Sequence, residues 1–363
     1  MRVRVPLSLD SATLTGFKPL GSKPLLMPKL GFGAAPIGNL YTAMSDTDAA
    51  ATLDSAIAQG IHYFDTAPHY GFGLSESRLA TTIASRRENL IISSKVGRLL
   101  VPSTSSDYVR HGFANAPALE PVFDYSYDAV MRSFESSLRR LQTDYIDILL
   151  AHDLGPLTHG DKHEQHFQVF MDGGYRAMHE LRAAGLVSAI GLGTNEWQVC
   201  EQALSYGDFD AFLLAGRYTL LEQSACDSFL PLCEARGASV IVGGPFNSGI
   251  LASGVSGAGP FYYNYEAAPK HIIERVAQLE TICAEFEIPL AAAALQFPGA
   301  HPQICSVIAG LASPAQVKQA ISWINLSIPE EFWLQLRAQH LLHPNAPIPT
   351  SPVPLTSLFS TEL

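Results

Sequence analysis

The order of apolar strands and amphipathic helices in these 363 residues predicts a (β/α)8 barrel. Three observations carry that expectation. Eight short apolar runs recur along the chain, each followed by a loop and a helical pattern. The runs are near-continuous rather than alternating, as a parallel sheet covered on both faces requires. The longest loops and several polar residues fall just after the C-terminal ends of these runs, where barrel sites are built. A doubly wound parallel sheet uses the same strand–helix phrase, and periodicity alone leaves it open.

The elements follow in order. Residues 1–27 form an N-terminal cap segment ahead of the first strand at 30–33 ("LGFG"). A helix over 46–59 carries Asp residues near its start and Gly60 just past its end, as capping favours. The second strand, 61–65, leads to a helix at 74–86, and the third, 90–96, to one at 127–141. Strand 145–153 precedes helix 169–184, and strand 186–195 precedes helix 196–206. The last three pairs are 211–216 with 225–236, 239–245 with 271–287, and 304–310 with 313–323. Insertions at 97–126 and 246–270 follow the third and seventh strands. Residues 324–363 supply a helix at 329–339 and a Pro-rich surface tail, "HPNAPIPTSPVP". No linker or longer repeat interrupts the series, so one domain over 1–363 is expected.

Composition narrows the function. Apolar residues make up 47% of the chain and charged ones 16%, which describes a globular protein with a large core. A net charge of -11 argues against nucleic acid and anionic membrane surfaces, which need concentrated Lys and Arg. The start "MRVRVPLSLDS" has no apolar signal core, and the longest apolar run, 288–297, is too short to span a bilayer. Five cysteines, odd in number and without a C-x-x-C pair, suggest buried reduced thiols and a cytoplasmic protein. No His or Cys spacing suggests a metal site, and no G-x-S-x-G elbow suggests a hydrolase. Neither a heptad nor an apolar edge marks an oligomer interface.

The polar residues closing the strands point to chemistry. Asp65 ends the second strand, Lys95 the third and His152 the fourth, while Tyr70 lies five residues past Asp65 in "YFDTAPHYG". Neighbouring barrel strands would bring all four to one rim. A carboxylate can neutralise a buried ammonium, the ammonium can lower a phenol's pKa, the phenol can exchange a proton, and an imidazole can orient the reacting oxygen. Taken singly, Asp65 reads equally as a turn cap, Lys95 as a snorkelling side chain, His152 as a loop histidine and Tyr70 as a rim aromatic. Together they describe acid–base catalysis at a carbonyl or alcohol, which needs a hydride carrier.

The stretches "YFDTAPHYG", "ISSKVG" and "DILLAHD" resemble the three catalytic segments of the aldo-keto reductases, (β/α)8 barrels that use NAD(P). The resemblance continues through "GLGTNEW", "VIVGGPFNSGIL" and "SVIAGLASPAQV", and so covers residues 28–325. "FDYSYDAVMRSFESSLRRL", "LLAGRYTLLEQ" and "GGPFNSGILASG" are most similar to an aldose 1-dehydrogenase branch that has pyridoxal 4-dehydrogenase as a relative. The resemblance implies a tetrad of Asp65, Tyr70, Lys95 and His152. Tyr70 would take the anomeric hydroxyl proton, and Lys95, paired with Asp65, would depress its pKa. His152 would position the oxygen. The implied reaction turns an aldose into its lactone. Pyridoxal oxidation and carbonyl reduction use the same tetrad, and the intact tetrad disfavours a quiet nucleotide-binding regulatory barrel. His69, Trp197 and Arg217 are the candidate substrate contacts.

Gly191-Leu-Gly193 after an apolar strand invites a Rossmann reading, but Glu196 stands at the third glycine position and the fingerprint fails. The resemblance implies a different cofactor site. Gly33 and Ala34 would lie at its edge, Thr194 and Asn195 would hold the nicotinamide carboxamide, and the Tyr218 ring would stack on the nicotinamide. Gly244, Pro245, Phe246, Asn247, Gly249 and Leu251 would hold the pyrophosphate. Gly310, Ser313 and Gln316 would hold the adenosine end, where a helix start suits an anion. Two departures stand out. Ala215 replaces a usual Gln, and Leu311 and Ala312 occupy positions where NADP-preferring members carry a cation, leaving Lys318 one turn on. NAD is therefore the expected cofactor, with NADP second.

Overall fold

The structure, a computed structural model, describes residues 17–350. Expectations for 1–16 and 351–363 lie outside the described residues. Eight parallel strands close into a barrel: β1 Leu30–Gly33, β2 Tyr63–Asp65, β3 Ile91–Val96, β4 Ile146–His152, β5 Val187–Thr194, β6 Ala211–Ala215, β7 Ser239–Gly243 and β8 Ile304–Gly310. Pairing of β8 with β1, from Val307–Leu30 to Gly310–Gly33, completes the ring and removes the doubly wound alternative, which would leave two open edges. The expected strands differ from these only at their ends.

A hairpin, Phe17–Leu20 with Lys23–Pro28, plugs the N-terminal end of the barrel. Leu20, Leu25 and Met27 are buried among the interior side chains Tyr63, Ile148 and Ile241. Lys18 fastens the plug, its Nζ donating to the carbonyls of Gly299, His301 and Ile304 at 2.9, 3.0 and 2.9 Å. One end being stoppered, chemistry is left to the other.

Three segments differ from the expectation. Helix 169–184 is the end of a longer one that begins at His163, passes through a π segment at Phe170–Gly174 and continues as Tyr175–Ala183. The apolar run 288–297 contains a further helix, Leu290–Gln296, with residues 290–295 all buried. Being apolar all round, it shows no amphipathic period to read. The insertion 97–126 folds as antiparallel ribbons, Arg98–Pro102 with Leu119–Phe123 and Val109–Arg110 with Phe113–Ala114. Gly191 proves to be a packing residue, since a Cβ there would lie 1.6 Å from the Ala211 carbonyl oxygen on β6. All five cysteines are free and buried.

Candidate active site

Asp65 and His152 close β2 and β4, Lys95 stands one residue before the end of β3, and the barrel brings all three to one rim with Tyr70. Lys95 is the centre, its Nζ donating to Asp65 Oδ2 at 2.7 Å, the Thr66 carbonyl at 3.0 Å and Tyr70 Oη at 3.1 Å. Lys95 is 1% and Asp65 2% exposed, so the pair is desolvated and each charge depends on the other. Ser93, two residues before Lys95 and so on the same inward face of β3, donates to Asp65 Oδ1 at 2.6 Å. Sequence reading missed it, although that spacing was available. The His152 ring lies 5.9 Å from the Tyr70 ring, edge-on.

Electrostatics set the protonation states. Burial raises the Tyr70 phenol; the Lys95 ammonium opposes this, and the balance is about 12. The expected lowering by Lys95 is therefore present but outweighed by burial. Lys95 itself is lowered by burial, yet the Asp65 carboxylate and Tyr70 outweigh that and hold it above its ordinary value. Burial, helped by Arg98, Lys95 and His69, holds His152 well below the usual histidine range. His69 is pushed down to about 2 by burial, Arg98, His111 and Lys95. Both imidazoles are neutral at physiological pH.

The insertion after β3 holds His152 in place from both of its ends. Arg98, at the start, forms an ion pair with Asp153 and donates to His69 Nε2 at 3.0 Å. Tyr125, at the far end, donates to the His152 carbonyl at 2.6 Å. Gly97 makes this possible: its φ is +97°, and a Cβ there would meet the Tyr125 ring at 2.2 Å. Replacing Gly97 by Ala is expected to displace Tyr125, lowering both kcat and Tm. Unchanged thermal unfolding and turnover in that variant would contradict the assignment.

A cavity of about 200 Å³ opens beside Tyr70 and Asp65. Gly33, Asn195, Gly244 and Gly310 line it, with Ala215 and Arg217 from the end of β6 and Asn264 and Tyr265 from the insertion after β7. Arg217 donates to Asn264 Oδ1 at 2.8 Å, tying that insertion over the cavity. Asn247 lines it too, donating from Nδ2 to the Gly216 carbonyl at 3.0 Å.

Other expected residues lie apart from the cavity. Tyr218 is fully buried, stacked on Phe297 at 5.5 Å and edge-on to His301, and is not among the residues lining the cavity. Residues 216–217 reach the cavity, and the chain then turns Tyr218 into the core. Trp197 is directed to Ser224 Oγ, 3.2 Å from its Nε1, and does not line the cavity either. Thr194 is buried, its Oγ1 accepting from the Glu196 N–H, and Ala34 donates its N–H to the Asp65 carbonyl. Pro245 and Leu251 are buried, and half-buried Phe246 packs edge-on to Trp323. Gly249, at φ +96°, caps the short helix Ile250–Ser253. At the end of β8, Ser313 Oγ accepts from the Gln316 N–H at 3.2 Å and Gln316 Oε1 accepts from the Ala312 N–H at 2.7 Å. This reciprocal cap opens helix Pro314–Ile324.

Comparison with known proteins decides the family. Residues 29–339 match the model described as the aldo/keto reductase family. The chain belongs to the aldo/keto reductase family. It is 44% identical over 333 residues to a pyridoxal 4-dehydrogenase of Microbacterium luteolum, covering 89% of this chain and 97% of that one. It is 35% identical over 323 residues to a D-threo-aldose 1-dehydrogenase of a Pseudomonas species, covering 88% and 95%. A solved aldo-keto reductase from Bacillus halodurans, in its holo form, superposes with a TM-score of 0.70 at 26% identity, covering 90% of this chain and 96% of that one.

Aldo/keto reductases are oxidoreductases that use NAD(P)H, and the residues lining this chain's cavity suit such a group. Asn247 Oδ1 is buried without a hydrogen-bond partner. Gly33, Gly244 and Gly310 leave the cavity wall without side chains at the ends of β1, β7 and β8. Among the described residues no cluster of His, Cys, Asp or Glu could hold a metal ion, and no helix is long and apolar enough to cross a membrane.

Proposed function

We propose that this aldo/keto reductase is an NAD-dependent dehydrogenase that oxidises the cyclic hemiacetal of pyridoxal to its lactone. The observation that carries this reading is the 44% identity to a pyridoxal 4-dehydrogenase along nearly the whole of both chains. The second reading is an aldose, supported by the 35% identical D-threo-aldose 1-dehydrogenase and by the segments around 123–141, 213–223 and 243–254. Both substrates present the same group, a ring carbon bearing a hydroxyl and bonded to the ring oxygen. Oxidation removes a proton from the hydroxyl and a hydride from the carbon, leaving the lactone carbonyl.

The chain's own residues supply the proton path. Tyr70 Oη accepts the hydroxyl proton. The Lys95 ammonium, 3.1 Å away, favours the phenolate that does so, and Asp65 neutralises the ammonium in its desolvated site. His152, neutral, holds the reacting oxygen by hydrogen bond. The Tyr70 ring lines the cavity, backed by the buried Phe113 ring 6.3 Å away and tilted by 33°. Asn195, Asn247, the glycine strand ends and the capped helix at Ser313 would hold NAD, which supplies the hydride acceptor.

Two expected results arise here. Because Tyr70 sits near 12, its phenolate fraction rises about tenfold per pH unit across the working range, so kcat/KM for oxidation climbs with pH and shows no plateau at neutrality. A profile flat above pH 7 would contradict it. Leu311 is buried and Ala312 is uncharged, leaving exposed Lys318 as the nearby cation for a 2'-phosphate. Ala312→Arg is expected to improve kcat/KM for NADP by about tenfold, the effect of roughly one charge-assisted hydrogen bond, with NAD little changed. A parent enzyme already preferring NADP would refute the NAD assignment.

A further inference from the structure

The imidazoles of His69 and His152 stand side by side at the rim, ring centroids 5.8 Å apart, and each has a buried Nδ1 without a partner. Between them runs one guanidinium. Arg98 Nη1 lies 3.0 Å from His69 Nε2, and Arg98 Nη2 is paired with Asp153. The same carboxylate oxygen lies 3.5 Å from His152 Nε2. Asp153 is itself held by its N–H on the Gly193 carbonyl at 2.9 Å, in a left-handed conformation with φ +50°.

We propose that Arg98 is a positioning residue that, through Asp153, keeps both imidazoles neutral and fixes which nitrogen of each carries the proton. A guanidinium only donates, so His69 Nε2 must accept and the His69 proton must sit on Nδ1. A carboxylate only accepts, so the Asp153 oxygen beside His152 Nε2 draws the proton to that nitrogen. Nε2–H is then the donor that can hold the reacting oxygen, an inference that rests on the proposed role of His152. Unopposed, a carboxylate 3.5 Å away would also favour the imidazolium, which carries a second proton. Arg98 cancels that charge.

The other groups facing the two rings act in the same direction or are neutralised. His152 faces Lys95, His69 and Tyr70, and Lys95 is itself paired with Asp65. His69 faces His111, which is held by Glu120, and lies edge-on to uncharged Phe113. Burial and the Arg98 charge both lower the two imidazoles, which agrees with this assignment.

The test follows the ring nitrogens of 15N-histidine-labelled full-length protein by NMR against pH, a readout that needs no substrate. In the parent, His69 is expected as the Nδ1–H tautomer, His152 as Nε2–H, and both neutral down to the acid limit of folding. In Arg98→Met the two midpoints are expected to rise by about 1–3 units, the usual effect of a charge a few ångströms away. Adding Asp153→Asn should reverse that rise for His152. Arg98→Lys, which keeps a donor-only cation without the fork, should leave both rings neutral and His69 protonated on Nδ1. A folded Arg98→Met protein with unchanged titrations would overturn the proposal. So would a parent His69 protonated on Nε2. If Arg98→Met does not fold, a charged His69, or one protonated on Nε2 alone, in Arg98→Lys overturns it equally. The acid limb of kcat/KM should move with the midpoints. Failure to oxidise pyridoxal or any aldose would sink the substrate assignment and leave the titrations to decide this one.

Discussion

Tyr70→Phe is expected to lower kcat by about 10²–10⁴-fold, the usual contribution of a positioned proton-transfer group. The substitution removes one oxygen and little else. The ring keeps its neighbours Phe113 and His152, and Lys95 remains over its face, 4.5 Å from the centroid. Lys95 loses one acceptor but keeps Asp65 and the Thr66 carbonyl, so no buried charge is orphaned. NAD affinity, followed by fluorescence titration, is expected within about twofold of the parent. A variant whose kcat stays within tenfold of the parent would show that the proton leaves by another route.

Lys95→Met acts on both stability and turnover. Methionine fills the volume but leaves Asp65 buried with the Ser93 hydroxyl as its remaining side-chain partner, and breaking a buried pair from one side costs about 3–5 kcal/mol. Asp65 in the variant is expected to take up a proton, its carboxyl raised by desolvation above the unfolded value. A raised folded-state pKa gives stability that is present at low pH and lost as pH rises through it. The stability gap to the parent should therefore narrow between about pH 8 and pH 5 in urea unfolding. Adding Asp65→Asn should recover most of the lost stability and none of the activity. Without the ammonium, burial of the Tyr70 phenol is unopposed and the base is lost as well. A gap that widens on acidification would contradict the account.

The barrel was readable because its strands are buried on both faces and so are written as largely apolar runs. That Asp65, Tyr70, Lys95 and His152 meet at one rim was readable for a related reason, a titratable residue near the end of a buried strand being conspicuous. What could not be read lies in contacts made across long separations. The plug hairpin has no periodicity of its own, and its place depends on Lys18 reaching carbonyls near residue 300. Arg98 and Asp153 are 55 positions apart, and neither is unusual where it stands. The placing of Tyr218 was not readable either, because a Tyr three residues past a strand end can turn to the cavity or to the core, and here it packs on Phe297. The helix Leu290–Gln296 was hidden by being apolar on every side.

Oxidation of a cyclic hemiacetal by the tetrad is tested most directly by initial rates of reduced-cofactor formation with NAD, measured against pyridoxal and a panel of aldoses. Turnover of pyridoxal with its lactone as product is expected, with a smaller rate on aldoses and loss of both in Tyr70→Phe. Fully folded enzyme that binds NAD yet reduces none of it with pyridoxal or any aldose would contradict the proposed oxidation.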